Sequence, residues 1–381
     1  MNKTGSLLAK KATVFATLVL ASQSLLAADL VPIGNTPTSI GISGKIHLDV
    51  LINNDDMGNV TGFSPATIPT TGNSGNLQTT MSAGQSKLAI YSETKTDEHT
   101  VKTLMEWDWY HTDNGSQPNL TQLWGEYGSW GAGQTFSVFM DVSTFPNTLE
   151  YFGPNSMVFV RQPQIRYTTP LSASQNLAFA IEKPNSAVTL NGLGREAHST
   201  LPDFTMHWRQ TSGESHLQVA GILRQLAVED ANDDVESTLG WGVNVSANLV
   251  INEQDKISAS VVMGEGIGRY INDTSFSDSD GVVVANGDVE ALPVFGLYGF
   301  YDHRWNDKAR TNIGYGYLNV DNEAIQTGDE FSTSHFFVIN YLYQLAEPVL
   351  LGSELQWGSL EDKAGDKGEN LRWQSSVIFK F

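Results

Sequence analysis

A chain of 381 residues with 22 basic and 42 acidic side chains, a net charge of −20 and no cysteine excludes a disulfide framework and argues against nucleic acid as a partner. Nothing in it reaches the roughly 18 consecutive apolar residues that a spanning helix needs. No Pro-rich, Ser-rich or heptad stretch marks a linker, so one large all-β unit fits the length.

At the start, Lys3, Lys10 and Lys11 precede an apolar run from Ala12 to Ala21, with small Ala27 and Ala28 behind it. That three-part layout is a secretory signal over residues 1–28, removed on export. Residues 29–39 are read as a short periplasmic lead-in and 40–381 as a single outer-membrane barrel domain.

From there the chain runs in short alternating or β-rich stretches separated by turn residues, the weak per-segment signature of a transmembrane barrel. Sixteen strands are predicted. The first five centre on 41–52, 84–94, 99–110, 119–128 and 129–137; the next five on 158–168, 175–184, 203–211, 214–226 and 237–250; the last six on 256–266, 291–305, 309–320, 333–345, 348–358 and 370–381. Their connections alternate. Tight turns fall at Thr96-Asp97-Glu98, Gly128-Ser129, Ser212-Gly213, Asn252-Glu253-Gln254, Asn306-Asp307 and Ala346-Glu347, whereas 53–82, 185–202, 267–289 and 321–332 are long and rich in Gly, Asn and Asp. A soluble sandwich has no reason to sort loop length by parity. The fold class is all-β: a 16-stranded antiparallel transmembrane β-barrel with an inward-folded third outer loop. The tryptophans, among them Trp107, Trp124, Trp130, Trp305 and Trp373, lie mostly near strand ends, where interfacial girdles place them.

The last strand closes the barrel. Leu371, Trp373, Ser375, Val377, Phe379 and Phe381 share one face, suited to lipid; Arg372, Gln374, Ser376 and Lys380 share the other.

Between the fifth and sixth strands, residues 138–157 are too long for a plain connection and too apolar for solvent, with Phe139, Met140, Phe145, Leu149, Tyr151, Phe152 and Met157. This is the candidate constriction loop, folded into the lumen. The run GQTFSVFMDVSTFPNTLEYFGPNSMVFVRQPQIRYT, residues 133–168, resembles the DcaP-like outer-membrane channels. They share its Gly-Gln-Thr start, an acidic residue before Phe-Pro, a Gly-Pro turn and an Arg-Gln-x-Gln-x-Arg-Tyr strand. The resemblance implies a trimeric porin that passes small organic anions, dicarboxylates among them. The prototype of that family carries an amino-terminal coiled-coil region before its barrel; here about a dozen residues, Asp29 to Ser39, separate the expected signal from the first strand.

Sorting charges by face gives the candidate pathway. The inward set holds Lys45, Lys87, Lys102, Arg166, Arg209, Arg224, Arg304, Arg310, Arg372 and Lys380, and Arg161 joins it if Pro163 marks a bulge. Arginine binds carboxylates as a planar fork, so Arg161 and Arg166, leaving the constriction loop, are the first candidates, followed by Arg209, Arg224, Arg304 and Arg310. Asp141 and Glu150, within the loop, are placed to oppose them and set a transverse field. Inward acids Asp49, Glu106, Asp108, Asp302 and Glu354 make the wall mixed, and acids such as Asp55, Asp113, Asp233, Asp278 and Asp288 crowd the outer loops.

Catalysis and metal binding find little support. Ser215-His216 and Ser334-His335 are strand neighbours, whose side chains point to opposite faces, and Asp278-Ser279-Asp280-Gly281 lacks the later acid of a calcium loop. No cofactor is expected. The expected partners are small anionic solutes, outer-membrane lipid and lipopolysaccharide, the barrel assembly machinery and, on the resemblance alone, two further copies in a homotrimer. The function read here is a porin for passive diffusion of small hydrophilic solutes, favouring organic anions; a weakly selective general porin, or an adhesin acting through outer loops, are the alternatives.

Overall fold

A computed structural model describes residues 30–72, 75–110, 117–192, 194–275 and 277–381. The expected signal segment, and Asp113 in the second outer loop, lie outside them. Sixteen strands make up the wall: β1 Thr38–Asn53, β2 Lys87–Lys95, β3 Thr100–Asp108, β4 Asn119–Tyr127, β5 Trp130–Phe136, β6 Arg161–Pro170, β7 Gln175–Glu182 and β8 Asp203–Ser212. The second half is β9 Ser215–Asp230, β10 Val235–Val250, β11 Asp255–Glu265, β12 Pro293–Arg304, β13 Ala309–Val320, β14 Phe331–Ala346, β15 Val349–Asp362 and β16 Lys367–Lys380. Each pairs antiparallel with the next, and β16 pairs with β1 from Lys45↔Lys380 to Asn53↔Arg372, so no edge remains.

Period-two alternation sets the faces. On β1, Ile42, Ile46 and Leu48 are exposed while Lys45, His47 and Asp49 are buried inside. On β16 the apolar set exposes Leu371, Trp373, Phe379 and Phe381, and Arg372 is fully buried. The terminal residue locks the seam: Phe381 exchanges backbone hydrogen bonds with Gly44 at 2.9 and 3.1 Å. Its ring lies over that glycine, where a Cβ would stand 2.5 Å from Phe381 Cζ and from the Lys87 carbonyl oxygen.

Short turns collect on the rim that holds Phe381, and the long loops on the other, as the spacing predicts. In the two-residue turn after β4, Gly128 supplies a φ of +61°. Three details differ from expectation. β1 starts at Thr38, inside the expected lead-in. The second strand is broken: Gln78–Ser82 pairs with the upper part of β1 and Lys87–Lys95 with the lower, leaving Ala83–Ser86 out of the ladder. The register of β5 with β6 runs unbroken through Gln134↔Pro163, so Pro163 makes no bulge; its missing donor is tolerated because that face of the residue needs none from β5.

More of the chain enters the barrel than the one loop expected. Met57, Phe63 and Ile68 of the first outer loop, Phe139, Met140, Met157 and Val158 of the third, and Ile267, Tyr270 and Ile271 of the sixth pack in one cluster with inward Ile222, Phe300, Phe336 and Val338. The upper lumen therefore has an apolar core of its own. A three-stranded sheet of Val188–Thr189, Gly281–Val283 and Val289–Ala291 ties the fourth loop to the sixth.

Candidate functional site

The third loop runs round the inner wall and is fastened at each side it passes. Leaving β5, the Ser137 hydroxyl and Val138 amide both donate to Glu182 Oε1 on β7 at 2.9 Å. Asp141 caps a 3-10 turn at Val142–Thr144 and accepts from Arg209 on β8 at 2.6 Å, His216 on β9 at 2.7 Å and Ser246 on β10 at 2.8 Å. Those donors and the guanidinium hold its carboxyl at about 2 against burial, so it stays charged. Asn147 then donates to Asp302 at 2.7 Å, and the Leu149 and Glu150 amides donate to the two oxygens of Glu354 at 2.8 and 3.0 Å. Gln85, freed by the break in the second strand, reaches in to the Leu149 carbonyl at 2.9 Å. Tyr151 donates to Asp108 at 2.6 Å and stacks on Tyr110 with ring centroids 3.7 Å apart.

Arg161 and Arg166 stand where the loop returns to the wall. Arg166 faces inward, donating to the Phe136 carbonyl at 2.5 Å and to Gln164 Oε1 at 3.0 and 3.1 Å, with its guanidinium 5.2 Å over the Trp124 ring. Trp124 is thus a luminal platform rather than part of a girdle; it lies against Gly131, where a Cβ would meet it at 2.2 Å. By alternation Arg161 belongs to the outward set with Pro163 and Ile165, yet its guanidinium lies over Phe159 and Phe136 and reaches Tyr151 Oη at 3.5 Å. Loop and strand end together bring it in, without a bulge. Among the described residues neither arginine has a carboxylate within ion-pair distance, although Glu106 and Asp108 act on Arg161 electrostatically. Lys87, beside them, does pair with Glu106 at 3.2 Å.

The other four arginines divide. Arg209 is committed to Asp141 and to Ser143 Oγ at 2.8 Å. Arg224 is buried with Asp280 at 2.7 Å and Asp203 at 3.4 Å and donates to the Gly266 and Asn185 carbonyls, fastening the fourth and sixth loops to β9. Its side chain is fully buried in these contacts. Arg304 and Arg310 face each other in direct register near the short-turn rim, away from the third loop's return.

Glu150 does not oppose the arginines across open space. Its oxygens accept from the amides of Phe63 at 3.0 Å, Phe152 at 2.8 Å and Gly153 at 2.6 Å, joining the third loop to the first. Burial outweighs those donors and raises its carboxyl to about 7. Glu182 and Asp203, missing from the sequence assignment of inward acids, were within its reach. Ala178, Ala180 and Glu182 alternate inward on β7, and Asp203, Thr205 and Arg209 on β8.

Neither Ser-His neighbour pair forms a contact: Ser334 donates to Asp273 at 2.8 Å, while His335 on the outer face bonds Tyr315 at 2.6 Å. Asp280 is spent on Arg224. Among the described residues no group of three or more acidic or histidine side chains is placed to hold a metal ion.

Residues 8–373 match the family described as DcaP outer membrane protein. The chain belongs to that family. Among solved structures it is similar to the outer membrane channel DcaP of Acinetobacter baumannii, at 18% identity and a TM-score of 0.81, over 92% of this chain and 100% of that one. An anion-selective porin from Comamonas acidovorans follows at 11% identity and 0.63, over 90% and 100%, and OmpT of Vibrio cholerae at 12% and 0.57, over 93% and 100%. No curated protein matches. At these identities the solved structures establish the barrel; the DcaP family match establishes an outer-membrane porin.

Proposed function

We propose that this DcaP-family porin favours small organic anions, dicarboxylates among them, and selects them at Arg161 and Arg166. One observation carries the reading: of the six candidate arginines, these two stand beside the third loop with no carboxylate within ion-pair distance among the described residues, while Arg209 and Arg224 are consumed by ion pairs. Both are backed by aromatic rings, which orient the planar fork and keep water from one side of it. A carboxylate passing the loop gains charge-assisted hydrogen bonds there that a cation cannot. A homotrimer is the assembly we expect; one neighbour, OmpT of Vibrio cholerae, is described in a trimer form.

Arg166→Ala removes half of that pair while leaving every wall strand in place. In planar bilayers under a salt gradient, the reversal potential should move toward cation preference, and succinate block should weaken by about tenfold, the loss of roughly one charge-assisted bond. An unchanged reversal potential would overturn the assignment.

The apolar filling of the upper lumen favours a second reading, a barrel largely closed that works through its outer loops. Absence of any conductance in the wild-type protein would select it.

A further inference from the structure

On the short-turn side of the third loop, a cavity of about 130 Å³ opens between the loop's Asn147–Leu149 and the wall. Its lining brings together Lys45 of β1, Arg310 of β13, Lys380 of β16 and Lys308 of the β12–β13 turn, against one acid, Asp307. Leu342, Leu350 and Ile378 form an apolar side.

The ladder makes this convergence costly. Lys45 and Lys380 are directly opposed partners across the β1–β16 seam, and Lys45 is also opposed to Lys87 across β1–β2. Arg310 is opposed to Arg304 across β12–β13. Like charges in direct cross-strand register destabilise a sheet, and an apolar wall strengthens the repulsion by lowering the local dielectric. The same wall strengthens attraction for an anion seated among them. Lys45 has a local partner in His47 at 3.2 Å, and the other nitrogen of that ring lies 2.9 Å from Asp49, a carboxylate outside the cavity lining.

We propose that this cavity is an anion-holding site on the short-turn side of the constriction, taking a small dianion whose two charges bridge the β13 cation to the β16–β1 pair. Inorganic phosphate and short dicarboxylates share that chemistry. The site is separate from Arg161 and Arg166, and a solute leaving the constriction would be held here before release.

The test uses inorganic phosphate with the full detergent-solubilised porin, read as broadening of the phosphorus resonance during titration. Wild type should give a saturable curve. R310Q/K380Q should weaken it about tenfold or more, as loss of two charged donors implies. R310K/K380R, which keeps both charges, should retain the wild-type curve and guards against a folding defect. A titration that does not saturate in wild type, a curve unchanged in R310Q/K380Q, or a curve lost in R310K/K380R despite a folded barrel would each overturn the site. If R166A abolishes anion preference but R310Q/K380Q leaves the phosphate curve intact, the constriction assignment stands and this one falls; the converse pattern separates them the other way.

Discussion

Asp141 concentrates the chemistry of the third loop in one side chain. It is 3% exposed and serves a cation, an imidazole, a hydroxyl and its own turn at once. Removing it would strand Arg209 and His216 in a buried site, and truncating one partner of a buried pair costs about 3–5 kcal/mol. Asp141→Ala should therefore lower the thermal midpoint of the barrel, read by its heat-dependent electrophoretic shift, and raise open-channel noise as the loop loosens. An Asp141→Asn variant, still able to accept from Ser246 and Arg209, should lose less. The sequence pointed to Asp141 as a loop acid near an arginine wall. What it could not give was the partner, because Arg209 lies 68 residues away and only the closed ladder brings them within hydrogen-bond distance.

At the scale of elements, the first and third loops behave as one inserted layer joined by buried carboxyl groups. Glu150 accepts from Phe63, and Asp273 of the sixth loop accepts from Ser64 and Ser334 at 2.8 Å. Burial raises the Asp273 carboxyl to about 6, as it raises Glu150 to about 7. Both are acids with elevated folded values, so the neutral forms favour the packed layer. Their contribution is full below about pH 4, where the unfolded groups are also protonated, and is lost as pH rises through 6 and 7. Hydrogen exchange at the Phe63 and Ser64 amides should accelerate between about pH 4 and 7 beyond the intrinsic rate increase, and Asp273→Asn should flatten that rise. Equal pH slopes in both proteins would remove the titration from the explanation. The sequence placed residues 53–82 outside as an outer loop. Its Met57, Phe63 and Ile68 are separated by Gly, Asn and Thr and show no strand or helix period, so only the cavity they fill identifies them as core.

Over the whole molecule, the ladder and the inserted layer divide the work. Backbone pairing around the closed sheet holds the wall, while the layer fills the upper lumen. Replacing residues 57–68 with a short Gly-Ser linker should leave the barrel folded and heat-modifiable but raise single-channel conductance several-fold, because Phe63 and Ile68 pack against Phe336 and Leu360 across the upper lumen. A protein that conducts as before would show that the first loop lies beside the path rather than in it.

The sequence by itself determined the wall: sixteen strands, their order, the parity of short and long connections, and the face of most inward cations. Alternation between lipid and lumen imposes a period of two that survives in each segment. Only the tertiary structure decided which cations remain available. Arg209 and Arg224 read no differently from Arg166 along their strands, but Asp141 and Asp280 arrive from loops distant in sequence to neutralise them, whereas among the described residues no carboxylate comes within ion-pair distance of Arg166. The same holds for Arg161, whose strand parity points outward and whose contacts with Phe159 and Tyr151 exist because the loop returns beside it. Local pattern sets direction; pairing across a closed lumen depends on contacts between residues far apart in the chain, and no periodicity encodes those.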